Sequence, residues 1–371
     1  MVGAHETGNE TYILNLVRAL LALPWAERAG IDYLLYATHP GRLRARLDPD
    51  PPAEIRRVRP ESSLLRIPFG LPWRSARDRA DLLHVTYVAP PLSTCPHVVT
   101  VHDISYEFYP EHFPPRVRWM LKTLVPLTLR RAARVITVSE HARREIANRY
   151  RIAPERIAVT YEAADPRYRP VTDREQLERV RSRYGLWGRY VLALGNLQPR
   201  KNLARLVSAY VDLRRSGQLQ GVQLVLAGKA QWRESELYED VRGSGFADDI
   251  LFPGYIEDAD LPALYSGALV FVYPSIYEGF GLPPLEAMAC GTPVICSNAA
   301  SLPEVVGDAA LTVPPTDTSA LAQTLWKVAG DPGLRAELVE RGLRRAGRFS
   351  WQACAEETLQ VYRDALARRP K

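Results

Sequence analysis

Lysine is scarce in this 371-residue chain: of 48 basic residues only Lys122, Lys201, Lys229, Lys327 and Lys371 are lysine, and the rest are arginine. Cysteine is scarcer still. Cys95, Cys290, Cys296 and Cys354 fall at spacings that suit neither a metal site nor a disulfide framework, and they read as reduced thiols of a cytoplasmic protein. No apolar run reaches the roughly 18 residues that a membrane-spanning helix needs. The opening Met1-Val2-Gly3-Ala4-His5-Glu6 lacks the basic start and apolar stretch of a secretion signal. Disorder is excluded as well, because hydrophobic residues make up 46% and charged residues 24% of the chain, the balance of a folded globular protein. A length of this order suits two domains of ordinary size.

What is present is an uneven charge. Residues 1–160 carry 23 basic against 16 acidic residues, a balance of +7, and the remainder carries 25 against 26, a balance of −1. A basic first half suits an anionic membrane surface, a phosphorylated acceptor or nucleic acid. An arginine-rich solvated surface accounts for it equally well. The cations Arg116, Arg118, Lys122, Arg130 and Arg131, on a helical stretch after Pro115, are the candidates for an anionic contact.

Strand-like and helix-like stretches alternate along the whole chain. The spacing predicts helices over 9–22, 115–132 and 140–150, with strands at 31–37, 81–87, 98–102 and 134–139. A second set follows, with strands at 190–195, 223–228, 269–273 and 293–296. Helices are expected between them at 202–217, 232–243, 260–267 and 282–290. Such alternation implies parallel sheets with right-handed crossovers, and two sets imply two doubly wound domains. The first is expected over 1–168 and the second over 185–348. The join is expected in the Pro- and charge-rich stretch 164–183, and the last helix, about 351–371, is expected to pack back on the first domain. One feature is unusual. A doubly wound domain opens on a strand, a glycine loop and a helix. Here Gly3 to Glu10 resembles that loop with no strand before it, so either the first strand is absent from this chain or the sheet begins differently.

Three constellations carry chemistry. The first runs from Tyr273 through Glu278-Gly279-Phe280-Gly281-Leu282-Pro283-Pro284-Leu285-Glu286 to Pro293. It follows a strand and opens a helix. Gly279 and Gly281 let the backbone approach a ligand, Pro283 and Pro284 suit a first helical turn, and N–H groups at a helix start suit a diphosphate or sugar hydroxyls. Glu278 in the loop and Glu286 in the helix are acceptors for such hydroxyls. The second is Gly195-Asn196-Leu197-Gln198-Pro199-Arg200-Lys201, again between a strand and a helix, with two cations suited to a diphosphate leaving group. The third is His102-Asp103 at a strand end, a pair that polarises or receives a hydroxyl or simply closes a turn. His84 ends a neighbouring strand. Gly228-Lys229 ends another and borders the same region. Of two Asp-x-Asp pairs, Asp48–Asp50 lies in a Pro-rich loop, and Asp258–Asp260 reads as a helix cap. Neither reads as a metal site.

The Tyr273–Pro293 segment resembles the Glu-x7-Glu motif of family 4 retaining glycosyltransferases, which have the GT-B fold of two facing Rossmann-like domains. The resemblance covers nearly the whole chain. It implies that Glu278 lies by the donor sugar and Glu286 binds the ribose. It also implies that Arg200 and Lys201 grip the donor phosphates. His102 and Asp103 then line the cleft near sugar and acceptor, Gly8 approaches the phosphates, and Tyr255-Ile256 borders the base. The stretch from Glu278 to Pro293 looks most like mannosyltransferases, so GDP-mannose is the first donor expected, with a glycan or lipid-linked acceptor. No metal, other cofactor or nucleic-acid partner is expected. The place expected is cytoplasmic, peripheral at the inner face of the membrane. Two other readings stand beside this one: a sugar phosphorylase or sugar-nucleotide epimerase of the same fold, and a sugar-nucleotide-binding protein without turnover.

Overall fold

The computed structural model describes residues 8–24, 30–47, 52–229 and 235–367; the Gly3–Thr7 part of the expected first loop and the Asp48–Asp50 pair lie outside them. The chain forms two units, Met1–Glu162 with Ser350–Lys371, and Ala163–Phe349. The division falls ahead of residue 168, where the sequence places the end of the first domain.

In the first unit, β1 (Leu34–Ala37) and β2 (Glu54–Arg57) form a parallel pair. The strands β3 (Leu83–Thr86), β4 (His97–Thr100), β5 (Arg134–Thr137) and β6 (Ile157–Val159) form a parallel sheet in that order. Among the described residues no strand precedes the helix Gly8–Ala22. That helix packs on the last helix, Trp351–Ala367. The reason lies in its inner face. Tyr12 is buried, donor or acceptor to Thr100 Oγ1 at 3.1 Å, with its ring tilted 6.1 Å from Trp351.

The second unit is a six-stranded parallel sheet in the order β12-β11-β10-β7-β8-β9. Its strands are β7 (Arg189–Leu194), β8 (Val222–Ala227), β9 (Ile250–Leu251), β10 (Val270–Tyr273), β11 (Val294–Ser297) and β12 (Leu311–Val313). Buried residues cover both faces. Leu206, Tyr210 and Leu325 lie in one cluster and Leu264, Met288 and Leu302 in the other. A sheet covered twice has continuous apolar strands, and β8 is buried at every position. The winding reverses between β7 and β10, which pair directly through Val270–Val191 and Phe271–Leu192. In open sheets of this kind ligands bind beyond the strand C-termini at such a reversal.

The stretch 164–183 is not a linker throughout. Arg174–Arg183 is a helix started by Asp173, whose carboxylate accepts from Glu175 N at 3.0 Å. It buries Val180 among the second unit's core residues. The sequence reading passed over β2, β6, β9 and β12, all four residues or shorter, because such runs carry too few residues to show a period.

Beyond the strand ends the backbone is drawn tight. Gly195 N donates to Ala227 O at 3.0 Å and Gly228 N to Gly254 O at 2.8 Å. Gly228 has φ +143°, and a Cβ there would lie 1.9 Å from Gly195 O. Gly228→Ala is therefore expected to lower stability by about 3 kcal/mol, from backbone strain together with displacement of the neighbouring strand end. Gly221→Ala, at φ +68° with open space around it, should cost only about 1 kcal/mol. Denaturant melts of the two variants check this. Equal losses would mean that the strand ends can move apart freely.

Candidate functional site

The loops after β7 and β10 carry the first two constellations, and the fold makes them one site. After Gly195 the chain turns through Pro199–Lys201 and enters the helix Leu203–Arg215. Asn202 takes the left-handed conformation (φ +58°). Its side-chain amide donates to Pro274 O at 3.0 Å and Pro315 O at 2.8 Å, which fastens this turn to the loop after β10. Ile276 N donates to Arg200 O at 3.0 Å and strengthens the same junction.

Glu278 sits at the centre. Its Oε1 accepts from Lys201 Nζ at 2.7 Å and Arg200 NH1 at 2.9 Å. Ser275 Oγ at 2.6 Å and the Tyr273 hydroxyl at 3.0 Å complete the set. The Lys201 ammonium also bonds the Tyr273 hydroxyl and lies 4.6 Å from that ring's centroid. Burial alone would raise the Glu278 pKa, but Arg200 and then Lys201 outweigh it and hold the carboxyl at about 2. Two cations against one carboxylate leave these three residues with a balance of +1. The sequence reading gave the cations to phosphate and Glu278 to sugar as separate duties. The structure ties them into one cluster, so a substitution at Glu278 also disturbs both cations. Tyr273 and Ser275 were inside the segment singled out, yet nothing in their spacing marked them as partners of Glu278.

Glu286 lies eight residues on, inside the helix Leu282–Ala289, and its surroundings are opposite in kind. Among the described residues no cation forms an ion pair with it. The Tyr265 hydroxyl donates to Oε2 at 3.0 Å. Burial pushes its pKa up to about 7, against hydrogen bonds from Tyr265 and Tyr168 and the more distant charge of Arg167. Tyr168 and Tyr265 gave no signal in the sequence.

Several expected contacts need correction. Pro283 and Pro284 have no N–H, and Leu285 N turns back to Gly281 O at 3.4 Å. Within that first turn only Leu282 offers a donor to a ligand. The Phe280 side chain faces inward, edge-on to Phe349 at 5.7 Å, and Ile256 is buried in the core. Both side chains are thus packed in the protein interior. Gly279 is buried. Gly281, at φ +121°, is a position that favours glycine. Lys229 lies over the Tyr255 ring at 4.3 Å, beside Gly228. Asp260 stands at the start of its helix without capping it. Its carboxylate accepts instead from Arg183 at 2.8 Å and the Tyr184 hydroxyl at 2.9 Å, and Asp258 pairs with Arg167 at 3.2 Å.

In the first unit His102 is 8% exposed, and among the described residues neither ring nitrogen has a hydrogen-bond partner. Tyr12 meets its ring edge-on at 4.5 Å and Tyr87 stacks at 5.9 Å. The Glu162 carboxylate stands 3.6 Å away. Burial lowers the His102 pKa to about 4, so the ring is neutral at pH 7. Asp103 does not join it in a shared hydrogen bond. Its Oδ1 accepts from Ser105 N at 2.9 Å and Ser105 Oγ at 2.7 Å, closing a turn. His84 is bound on both sides, to the Tyr362 hydroxyl at 2.6 Å and Thr100 Oγ1 at 2.7 Å, and serves the interior. Gly8 opens its helix with open space around it, so nothing nearby demands a glycine.

The two glutamates should affect stability with opposite sign. Glu278, depressed to about 2, contributes stability above its ordinary value of 4.5 and loses it as pH falls toward 2. Glu286, raised to about 7, costs stability progressively as pH rises from 4.5 to 7. Thermal melts across this range check the second effect. The difference between the wild type and Glu286→Gln should shift against the wild type as pH rises. A difference independent of pH would show that the carboxyl is hydrated.

Comparison with known proteins agrees with this architecture. Residues 182–345 match the family described as glycosyl transferases group 1, and residues 7–168 match glycosyltransferase family 4. O-antigen chain mannosyltransferase B of Escherichia coli is 40% identical over 267 residues, covering 72% of this chain and 70% of that protein. MMP alpha-(1->4)-mannosyltransferase of Mycolicibacterium hassiacum is 33% identical over 245 residues, 64% of this chain and 56% of that one. Among solved structures, sucrose-phosphate synthase from Thermosynechococcus elongatus aligns with a TM-score of 0.75 at 24% identity, over 98% of this chain and 94% of that one. Anabaena HepE in complex with UDP and glucose aligns with a TM-score of 0.75 at 21% identity, over 97% of each chain. At such identities the structures speak for the fold alone. Two parallel-sheet units, a Glu-x7-Glu loop at the winding reversal and these relatives together make the chain a family 4 glycosyltransferase of the GT-B fold.

Proposed function

We propose that this glycosyltransferase moves mannose from GDP-mannose to a glycan or lipid-linked acceptor, with retention at the anomeric carbon and without a metal. The observation that carries the reading is the cluster of Arg200, Lys201 and Glu278 at the reversal between β7 and β10. Its net positive charge suits a departing diphosphate, because donors fixed in advance stabilise developing negative charge without reorganisation. Arg200 and Lys201 would hold the phosphates, helped by Leu282 N–H. Among the described residues the side-chain bonds of Glu278 fall on Oε1, so a sugar hydroxyl would use Oε2. Glu286 would accept from the ribose. Mannose is supported by the names of the relatives at 40% and 33% identity, and retention by membership of family 4. The acceptor is assigned to the first unit, where the neutral, unpartnered ring of His102 can exchange hydrogen bonds with a hydroxyl. A place at the inner membrane face accompanies a lipid-linked acceptor.

The test is transfer from GDP-mannose to oligomannoside or lipid-linked primers, with the product anomer read by NMR. Stabilisation against heat by UDP but not GDP would overturn the choice of base. Lys201→Ala should lower turnover by about 2–4 kcal/mol, the scale of losing one charge-stabilising donor. Intact turnover would move the phosphate grip to Arg200 or Lys229. Glu286→Gln should weaken GDP and GDP-mannose alike, since a ribose contact is made in the ground state. Turnover should survive excess EDTA. A loss restored by manganese or magnesium would refute metal independence.

A further inference from the structure

The second unit has another concave surface, at the opposite end of its sheet from Arg200, Lys201 and Glu278. Those three follow the C-termini of β7 and β10. This surface lies where β7, β10 and β11 begin. The parallel order β11-β10-β7 sets the three strand starts side by side. Leu269 N donates to Tyr190 O and Phe271 N to Pro293 O, each at 2.8 Å, and these bonds fix Arg189, Leu269 and Pro293 relative to one another. The helix Pro332–Ala346 supplies the rest of the lining. Its Arg335, Ala336 and Val339 share one face, because residues three and four apart are neighbours on a helix. Together these elements line an open cavity of about 320 Å³.

Two guanidiniums line this cavity, and among the described residues no carboxylate does. Arg335 NH1 donates to Val328 O and Ala329 O, each at 2.8 Å. These carbonyls end the preceding helix and hold the guanidinium in place. One nitrogen makes both bonds, whereas a guanidinium carries five N–H donors in a fixed fork. Arg189 is exposed at the start of β7, and among the described residues no ion pair or side-chain hydrogen bond engages it. Asp331, one turn before Arg335, has its carboxylate on Leu334 N at 2.9 Å as the helix cap. Capping thus accounts for one nitrogen of Arg335 and for nothing at Arg189. The rest of the lining is apolar. Its main-chain donors are already used, with Gly267 N on Ala263 O at 2.9 Å and Ala268 N on Tyr265 O at 3.0 Å.

We propose that this cavity binds a small phosphate monoester with a compact apolar body, with Arg189 and Arg335 on the phosphate and Leu269, Pro293 and Val339 against the apolar part. Two cations match a dianion, and guanidinium forks suit phosphate oxygens. Size sets the class of ligand. Small-molecule sites begin at about 300 Å³, whereas a protein partner needs about 800 Å² of surface on each side. A hydroxyl-rich ligand, such as a sugar phosphate or a nucleotide, requires acceptors. The lining side chains offer none, so this is not a second place for the nucleotide donor. The inference does not rest on the choice of donor.

The test is calorimetric titration of the full chain with phenyl phosphate, inorganic phosphate, benzoate and phenol. Phenyl phosphate should bind at least about tenfold more tightly than each of the other three, since each lacks part of what the cavity recognises. Arg189→Gln and Ala336→Trp should each weaken it at least about tenfold, the first by removing a charged donor and the second by filling the cavity. Both residues are exposed. Saturating GDP should leave the titration unchanged, and so should Lys201→Ala, because both act at the other end of the sheet. No binding of phenyl phosphate overturns the proposal. So does competition by GDP or loss of binding in Lys201→Ala, either of which would place the phosphate at Arg200 and Lys201. Equal affinity for benzoate or phenol refutes the match of two cations to a dianion, and equal affinity for inorganic phosphate refutes the apolar part. Undiminished binding in either folded variant overturns the site. If Ala336→Trp does not fold, Arg189→Gln decides.

Discussion

Glu278 joins the ends of two strands by bonding Lys201, 77 residues away in sequence, and the second unit's site depends on that contact. Burying a carboxylate and two cations carries a desolvation cost that their mutual attraction offsets only when the remaining polar atoms are bonded. Here the Tyr273 hydroxyl, Ser275 and the Arg200 and Lys201 donors supply those bonds. An apolar cluster of the same volume would serve stability as well. The retention of charge at this point therefore points to a ligand that needs it, and a site with one cation in excess suits an anion.

The neighbouring Glu286 shows how one helix start can hold two carboxylates in different states. Glu278 is held charged by its cations. Glu286, facing two tyrosine hydroxyls, has its pKa raised to about 7 by burial. Hydroxyl donors alone do not restore what water supplied. Such separation lets one group act as a fixed charge while the other exchanges hydrogen bonds with a neutral ligand. Packing between the two carboxylates is close: a Cβ on Gly281 would lie 2.7 Å from Leu302 Cδ2.

The first unit is organised by the returning C-terminal helix. Tyr362 and Trp351 reach the interior beside His84, Thr100 and Tyr12. His84 satisfies both its ring nitrogens there and is spent on structure. His102, two residues past β4, remains buried and unpartnered. The difference between these two histidines is one of surroundings alone: both are pushed down to a pKa of about 4 by burial, and only one keeps hydrogen-bonding capacity unused.

Local chemistry is legible in the chain itself. Apolar periodicity places the helices near 9–22, 115–132, 140–150 and 202–217 and the central strands, but it passes over the helices Thr318–Gly330 and Pro332–Ala346. The Gly-Phe-Gly-Leu-Pro-Pro run marked a loop entering a helix, because glycine and proline restrict the backbone before any tertiary contact exists. The position of Arg200-Lys201 between a strand and a helix is what made an anion site the expectation there, again on local grounds. What the sequence could not show is which distant groups meet. Strand order sets β7 beside β10, and only that adjacency turns a cation pair and a glutamate into one cluster. Burial likewise depends on the whole packing. It sends Ile256 and Phe280 inward, commits Asp260 to Arg183 and Tyr184, makes Asp103 close a turn, and moves two glutamates of one motif to opposite sides of their ordinary pKa. These outcomes depend on desolvation and on partners far along the chain, and neither exists until the two sheets have formed.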